Sequence, residues 1–186
     1  TEIYMRAIEL ALEREQQAIV LVPEIALTPQ TVRRFAARFP GRVAVVHSRL
    51  SDGERYDTWR RARQGLFDIV VGPRSALFTP FPDPGLIVID ECHDGSYYQG
   101  DMAPRYHALR AGVEFARISG AVCILGSATP DIVHRYQSDR GQWQFLSLPE
   151  RILAHRASIQ VQLNQARQVP DIPRYREIEG DLQMAS

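Results

Sequence analysis

Five short, largely apolar runs punctuate the chain, at 18–22 (AIVLV), 43–46 (VAVV), 68–71 (DIVV), 86–90 (LIVID) and 121–125 (AVCIL). They are rich in β-branched residues and lack polar alternation, so each reads as a strand covered on both faces, as in a parallel sheet between helices. The intervening stretches follow a helical period. Residues 2–14 put Tyr4, Ile8, Ala11 and Leu12 on one side. Thr28 and Pro29 stand as a cap followed by proline at the first helical position, with Val32, Phe35, Ala36 and Phe39 as the inward stripe. Ser51 and Glu54 have capping-box spacing, ahead of Trp59, Ala62 and a stop at Gly65. Residues 105–119 carry Tyr106, Leu109, Val113 and Ala116 on one face and stop at Gly120, and Thr129-Pro130 opens a last helix reaching about Asp139. Weaker strand patterns lie at 142–148 and 158–163, and beyond Pro170 the chain turns polar and irregular like a linker. Strand alternating with helix predicts an open, doubly wound α/β sheet.

Ligands of such sheets bind beyond the carboxyl ends of the strands. Pro23-Glu24, His47-Ser48, Gly72-Pro73-Arg74-Ser75, Asp90-Glu91 and Gly126-Ser127-Ala128-Thr129 each begin at one of those predicted ends. That shared position predicts one site. A buried strand that ends in Asp90-Glu91 is the arrangement by which nucleotide-hydrolysing folds place a metal and an attacking water, although a solvated strand end reads the same way. Gly126 to Thr129 reads either as small hydroxyl residues reporting on the acidic pair or as a turn with Thr129 as cap.

Composition narrows this at four points. The 186 residues are 45% hydrophobic and 24% charged with zero formal net charge, so a nucleic-acid partner would need a local basic patch. All 22 basic residues are arginine, so the chain has no lysine to face a nucleotide's phosphates. Cys92 and Cys123 are the only cysteines, which excludes a four-cysteine zinc site and a disulfide framework. With no run of 18 apolar residues and no signal-peptide pattern, a soluble, cytoplasmic protein is expected.

The pair DExH (Asp90, Glu91, His93) and SAT (Ser127 to Thr129) is the signature of superfamily 2 helicases. The segments TEIYMRAIELAL, LVPEIALTPQ, HSRLSDGER, GPRSALFTPF, DECHDGSYYQ, PRYHALR and GSATP together resemble, in order, the first motor lobe of the primosomal protein N′ family of replication-restart helicases. The likeness covers roughly residues 1–150, and 151–186 would lead toward a second lobe. It implies a RecA-like, P-loop NTPase fold with a mostly parallel sheet whose first strand and phosphate loop lie upstream. Thr1 would be the remainder of that loop and a Mg²⁺ ligand. Asp90 would hold Mg²⁺, Glu91 would act on water, and His93, Ser127 and Thr129 would complete the ATP site.

The resemblance further implies single-strand contacts from Pro23, Glu24, Arg33 and Arg34, and from Gly72, Arg74 and Ser75. It also implies an aromatic-rich loop that senses a bound strand and couples it to hydrolysis, with Tyr97, Tyr98 and Arg105 as contacts. Tyr106 fits that loop or the helix core equally, and composition alone would leave Arg33 and Arg34 as a solvated face. Cys92 departs from a common glutamate, and Leu109-Arg110 from an expected Arg-Asp pair. The implied parent is an ATP-dependent 3′→5′ DNA helicase acting on forked and single-stranded DNA. Primosome proteins and single-strand binding protein would be its partners, and a structural zinc module would be formed outside this chain. Limited to these residues the chain is expected to be inactive, because the phosphate loop and the second lobe's arginines are missing. Two other readings are another superfamily 2 translocase, such as an RNA helicase or restriction motor, and a non-enzymatic nucleic-acid-binding module with a degenerate ATP site.

Overall fold

Residues that expose neither face of a strand must be covered twice, and this requirement organises the molecule. A computed structural model of the chain describes residues 2–148. The strands are β1 (Gln17–Leu21), β2 (Val43–Val45), β3 (Ile69–Gly72), β4 (Pro84–Ile89), β5 (Tyr98–Gln99), β6 (Tyr106–His107) and β7 (Val122–Leu125). Five of them form one parallel sheet in the order β2-β3-β1-β4-β7. The α/β, RecA-like class expected from the sequence is the one observed. The helices are α1 (Glu2–Leu12), α2 (Pro29–Arg38), α3 (Asp52–Arg63), α4 (Ala108–Ser119) and α5 (Ile132–Asp139).

Period-2 alternation splits each central strand between two cores. Ala18 and Val20 of β1, with Ile69, Val71, Leu86 and Val88, pack under Met5, Ile8 and Ala11 of α1 and Phe35 of α2. Ile19 and Leu21, with Val70, Ile87 and Ile89, pack under Ala62 of α3, Leu77, and Leu109 and Ala116 of α4. Fully burying such a side chain contributes about 1.5–3 kcal/mol each, so the two cores fix the strand register. Gly112 belongs to this close packing, since a Cβ there would come within 2.9 Å of Ile89 Cδ1.

The caps follow the sequence in two helices. Thr28 Oγ1 accepts from Thr31 N, and Ser51 with Glu54 forms the full reciprocal box. Gly120 ends α4 at φ 73°, a left-handed conformation that costs glycine little.

Four expectations are corrected. The segment at 105–107 is not helical: Tyr106 and His107 pair antiparallel with Gln99 and Tyr98, and His107 caps α4 by accepting from Leu109 N at 3.3 Å. The last helix starts at Ile132, capped by Asp131 accepting from Val133 N at 2.7 Å, because Thr129 N is spent on Ser127 Oγ. Ala36 faces solvent, leaving Phe35 and Phe39 as the buried stripe of α2. Residues 142–148 form no strand. The expected strand at 158–163 and the segment 151–186 lie outside the described residues. The chain separates into two compact units, one running through Tyr136 and one from Gln137. Within the second, Gln142 N and Gly141 N close a turn onto Gln137 and Ser138. Among the described residues no helix is long and apolar enough to cross a membrane.

His107 caps α4 only as neutral imidazole, and burial, helped by the charges of Arg110 and His134, holds its pKa below the usual histidine value. A lowered folded pKa means its stabilisation is complete above the ordinary histidine range and is lost as pH falls through the folded value. His107→Asn, which caps at any pH, is therefore expected to flatten part of the decline in thermal stability between pH 7 and 5. An unchanged slope in that variant would show that His107 titration plays no part.

Candidate nucleotide and strand site

Because the five strands are parallel, their carboxyl ends share one edge, and every motif singled out in the sequence begins there. Strand spacing of about 4.8 Å puts the β2 and β7 ends roughly 19 Å apart along that edge. The acidic pair and the Ser127 turn adjoin at β4 and β7, while Glu24, Ser48 and Arg74 gather at β1, β2 and β3.

Asp90 is held on all sides. Its N–H donates to Leu21 O at 2.9 Å, continuing the ladder one residue past the strand. Its Oδ1 accepts from the Tyr4 hydroxyl at 2.8 Å and from Glu91 N at 3.1 Å. Its carbonyl accepts from the Tyr97 hydroxyl at 2.6 Å. Burial first, and the Asp90 carboxylate second, raise the pKa of both tyrosines, so both remain protonated donors. With Oδ1 doubly bonded, Oδ2 is the oxygen left to meet a cation. Among the described residues no group of three or more His, Cys, Asp or Glu could hold a metal. Mg²⁺ sites built from one or two carboxylates plus substrate phosphates and water need no such cluster, so a single fixed carboxylate fits.

Glu91 sits at φ 48°, a left-handed conformation unusual outside glycine and concentrated at functional turns. The turn closes through Asp94 N donating to Glu91 O at 2.8 Å. His93 Nδ1 lies 2.8 Å from Ser127 Oγ and 3.6 Å from Glu91 Oε2, and Ser127 Oγ also accepts from Thr129 N at 3.0 Å. Glu91, His93, Ser127 and Thr129 are therefore one contiguous network. Gly126 makes the junction possible. A Cβ there would overlap the Tyr4 hydroxyl, and Gly126 exchanges ladder bonds with Ile89 O and Cys92 N. Cys92 is buried with its thiol pKa raised by desolvation, and burial pushes Cys123 up to about 12, so neither is a ready nucleophile. Thr1, the expected metal ligand, lies outside the described residues.

Several expected strand contacts are displaced. Tyr97 is only 1% exposed and points inward to Asp90, so it cannot stack on a base. Gly72 is buried, with its carbonyl taken by Val22 N and a hypothetical Cβ 2.6 Å from Val46 O, so its role is close packing. Pro23 is buried and its carbonyl accepts from Ala26 N and Leu27 N. Glu24 is exposed, but its Oε1 accepts the Ser48 hydroxyl and ties the β1 and β2 ends together. Arg74 Nη1 donates to Ser96 O at 3.1 Å and Tyr98 O at 2.9 Å. Arg33, Arg34, Ser75 and Arg105 are exposed, and Tyr98 is 56% exposed. Tyr4 was legible in the sequence only as part of a helix stripe. The signal for its hydroxyl was the glycine placed directly after a strand.

The chain matches the DEAD/DEAH box helicase model over residues 1–136. It is 46% identical over 168 residues to replication restart protein PriA of Bacillus subtilis (strain 168), covering 90% of this chain and 21% of that protein. It is 49% identical over 157 residues to replication restart protein PriA of Synechocystis, covering 82% of this chain and 19% of that one. The chain thus spans about a fifth of the length of the curated relatives it matches. A solved C-terminal domain of S. cerevisiae Dbp5 superposes with a TM-score of 0.51 at 17% identity, covering 77% of this chain and 82% of that domain, a likeness of fold.

The Gly126 contact can be checked directly. Gly126→Ala is expected to cost about 1–3 kcal/mol in chemical denaturation, because the methyl group and the Tyr4 hydroxyl compete for one position. Adding Tyr4→Phe should recover part of that loss, a positive coupling in the double-mutant cycle. Strict additivity would show that the two residues do not compete.

Proposed function

Since the chain belongs to the DEAD/DEAH box helicase family, we propose that it forms most of the first motor lobe of an ATP-dependent 3′→5′ DNA helicase. That helicase restarts stalled replication forks by assembling a primosome. The observation that carries the reading is the fixed carboxylate at the end of β4, with Oδ1 engaged by Tyr4 and Glu91 N. The similarity to replication restart proteins supports the biological setting. No specific observation favours an RNA helicase, a restriction motor or a module with a degenerate site.

In this reading Asp90 would hold Mg²⁺ through Oδ2, and the ion would supply neutralisation of the charge on the nucleotide phosphates. Glu91 orients the attacking water and takes up its proton. His93, bonded to Ser127, links that base to the turn that carries Thr129, so that nucleotide contacts at the acidic pair are felt by the β7 end. Thr1 is the remaining metal ligand. Residues 1–150 form the ATP-binding lobe and 151–186 lead toward the second. Arg33 and Arg34 on the exposed face of α2, Ser75, Tyr98 and Arg105 meet single-stranded DNA, the arginines through phosphates and Tyr98 through stacking. The protein works in the cytoplasm at the nucleoid, with forked DNA, primosome proteins and single-strand binding protein as partners. The zinc module uses none of this chain's residues.

In the full-length protein, Glu91→Gln is expected to lower DNA-stimulated ATP turnover by about 100-fold or more while nucleotide and DNA still bind. Turnover that survives this change would remove Glu91 from its role. The chain limited to residues 1–186 is expected to show no DNA-stimulated turnover.

Arg33→Ala and Arg34→Ala should each weaken single-strand binding regardless of sequence and reduce the salt slope of the affinity by about 1. An unaltered slope would assign that helix face to solvent.

A further inference from the structure

We propose that α3 carries a second contact for single-stranded nucleic acid, a ridge formed by Tyr56, Trp59, Arg60 and Arg63. The inference rests on the DNA-directed function proposed above for the identity of the strand. The ridge includes none of the residues that the sequence led us to expect at DNA.

The ridge follows from how α3 is buried. Ala62 is the buried residue of this helix and packs in the same core as Leu109 and Ala116 of α4. With about 100° of rotation per residue, the partly buried Arg55 and Thr58 share that inward face. Tyr56, Trp59, Arg60 and Arg63 have the i, i+3, i+4, i+7 spacing that aligns side chains along one side of a helix. All four are exposed, Tyr56 at 71% and Trp59 at 39%. α2, which carries Arg33 and Arg34, packs through Phe35 into the core on the other face of the sheet, so the two helices present separate surfaces.

Charge divides along the same helix. Its acids, Asp52, Glu54 and Asp57, lie in the first half, and Arg60, Arg61 and Arg63 follow with no acid among them. Arg60 pairs with Asp57 at 2.6 Å, whereas Arg63 forms no ion pair among the described residues. A helix C-terminus favours cations in its last turn, but the dipole gives no reason for aromatic rings beside them. Neither Tyr56 nor Trp59 belongs to either core, and among the described residues neither ring packs against another ring. Bare aromatic faces interleaved with guanidinium groups suit a single strand, whose bases stack on the rings whatever their sequence while arginines take the phosphates. With zero formal net charge over the chain, attraction for a polyanion has to come from such a local concentration. A duplex, its bases already stacked, or an acidic protein segment would use only the arginines.

The test measures binding of the full-length protein to a fluorescent oligothymidylate and to a duplex of equal length, over a range of salt. Arg63→Ala is expected to weaken single-strand binding about fivefold and to lower its salt slope by about 1. Trp59→Ala should weaken single-strand binding about tenfold and leave duplex binding within about twofold, with Trp59→Phe keeping most of the affinity. Arg61→Ala is the control, since it removes the same charge from the same turn on the opposite flank of the helix, and it should stay within about twofold. Arg63 is exposed, so its variant keeps the test valid should Trp59→Ala unfold. Equal losses in Arg61→Ala and Arg63→Ala would show diffuse attraction and overturn the ridge. Single-strand binding unchanged in Arg63→Ala and Trp59→Ala would overturn it as well and leave the surface to a protein partner. Failure of the unaltered protein to bind either DNA would refute the DNA-directed function together with the ridge, whereas loss confined to neither variant refutes the ridge alone.

Discussion

A carboxylate at the end of a strand is ordinarily free to rotate in water, and the site described here depends on Asp90 not being free. Three elements meet on it. The ladder to β1 fixes its N–H, the 94–97 turn fixes its carbonyl through Tyr97, and α1 fixes Oδ1 through Tyr4. Each partner is itself held by burial, so ordering the carboxylate costs little additional entropy at the moment a ligand arrives. The neighbouring residues obey the same constraint: Gly126 has no side chain because the Tyr4 hydroxyl needs the space, and Glu91 adopts a left-handed turn with its N–H on Asp90.

The parallel sheet turns this local arrangement into a division of labour. Order β2-β3-β1-β4-β7 sets the carboxylate and the Ser127 turn toward one end of the carboxyl edge, and Ser48 and Arg74, which follow β2 and β3, toward the other. The 94–99 segment bonds to Arg74 on one side and Asp90 on the other while presenting Tyr98 to solvent. β1, lying between β3 and β4, is buried along its whole length and supplies the stationary frame.

The elements with many residues in one period were legible in the sequence. β1, β3 and β4 are unbroken apolar runs, and the α2 and α3 caps use side chains whose spacing admits little else. Placement at the carboxyl edge was legible too, because parallel strands leave each motif one direction to face. What failed depended on which way a single side chain turned. Tyr97 and Tyr98 are adjacent aromatics with opposite fates, and no periodicity separates a two-residue strand from a loop. Gly72 and Pro23 match a strand-tracking pattern yet are buried, their part being to let backbones approach. Thr129 looked like a cap until Ser127 took its N–H and Asp131 capped the helix instead.

The central claim is that a fixed Asp90 directs a metal to one position. It is tested most directly by anomalous diffraction from the full-length protein crystallised with a non-hydrolysable ATP analogue and Mn²⁺, which takes the carboxylate and water ligands that Mg²⁺ does. The account predicts a metal peak facing Asp90 Oδ2, directly or through one water, with Oδ1 still bonded to Tyr4. A peak remote from Asp90, or a carboxylate that has left Tyr4 to turn both oxygens to the metal, would contradict it.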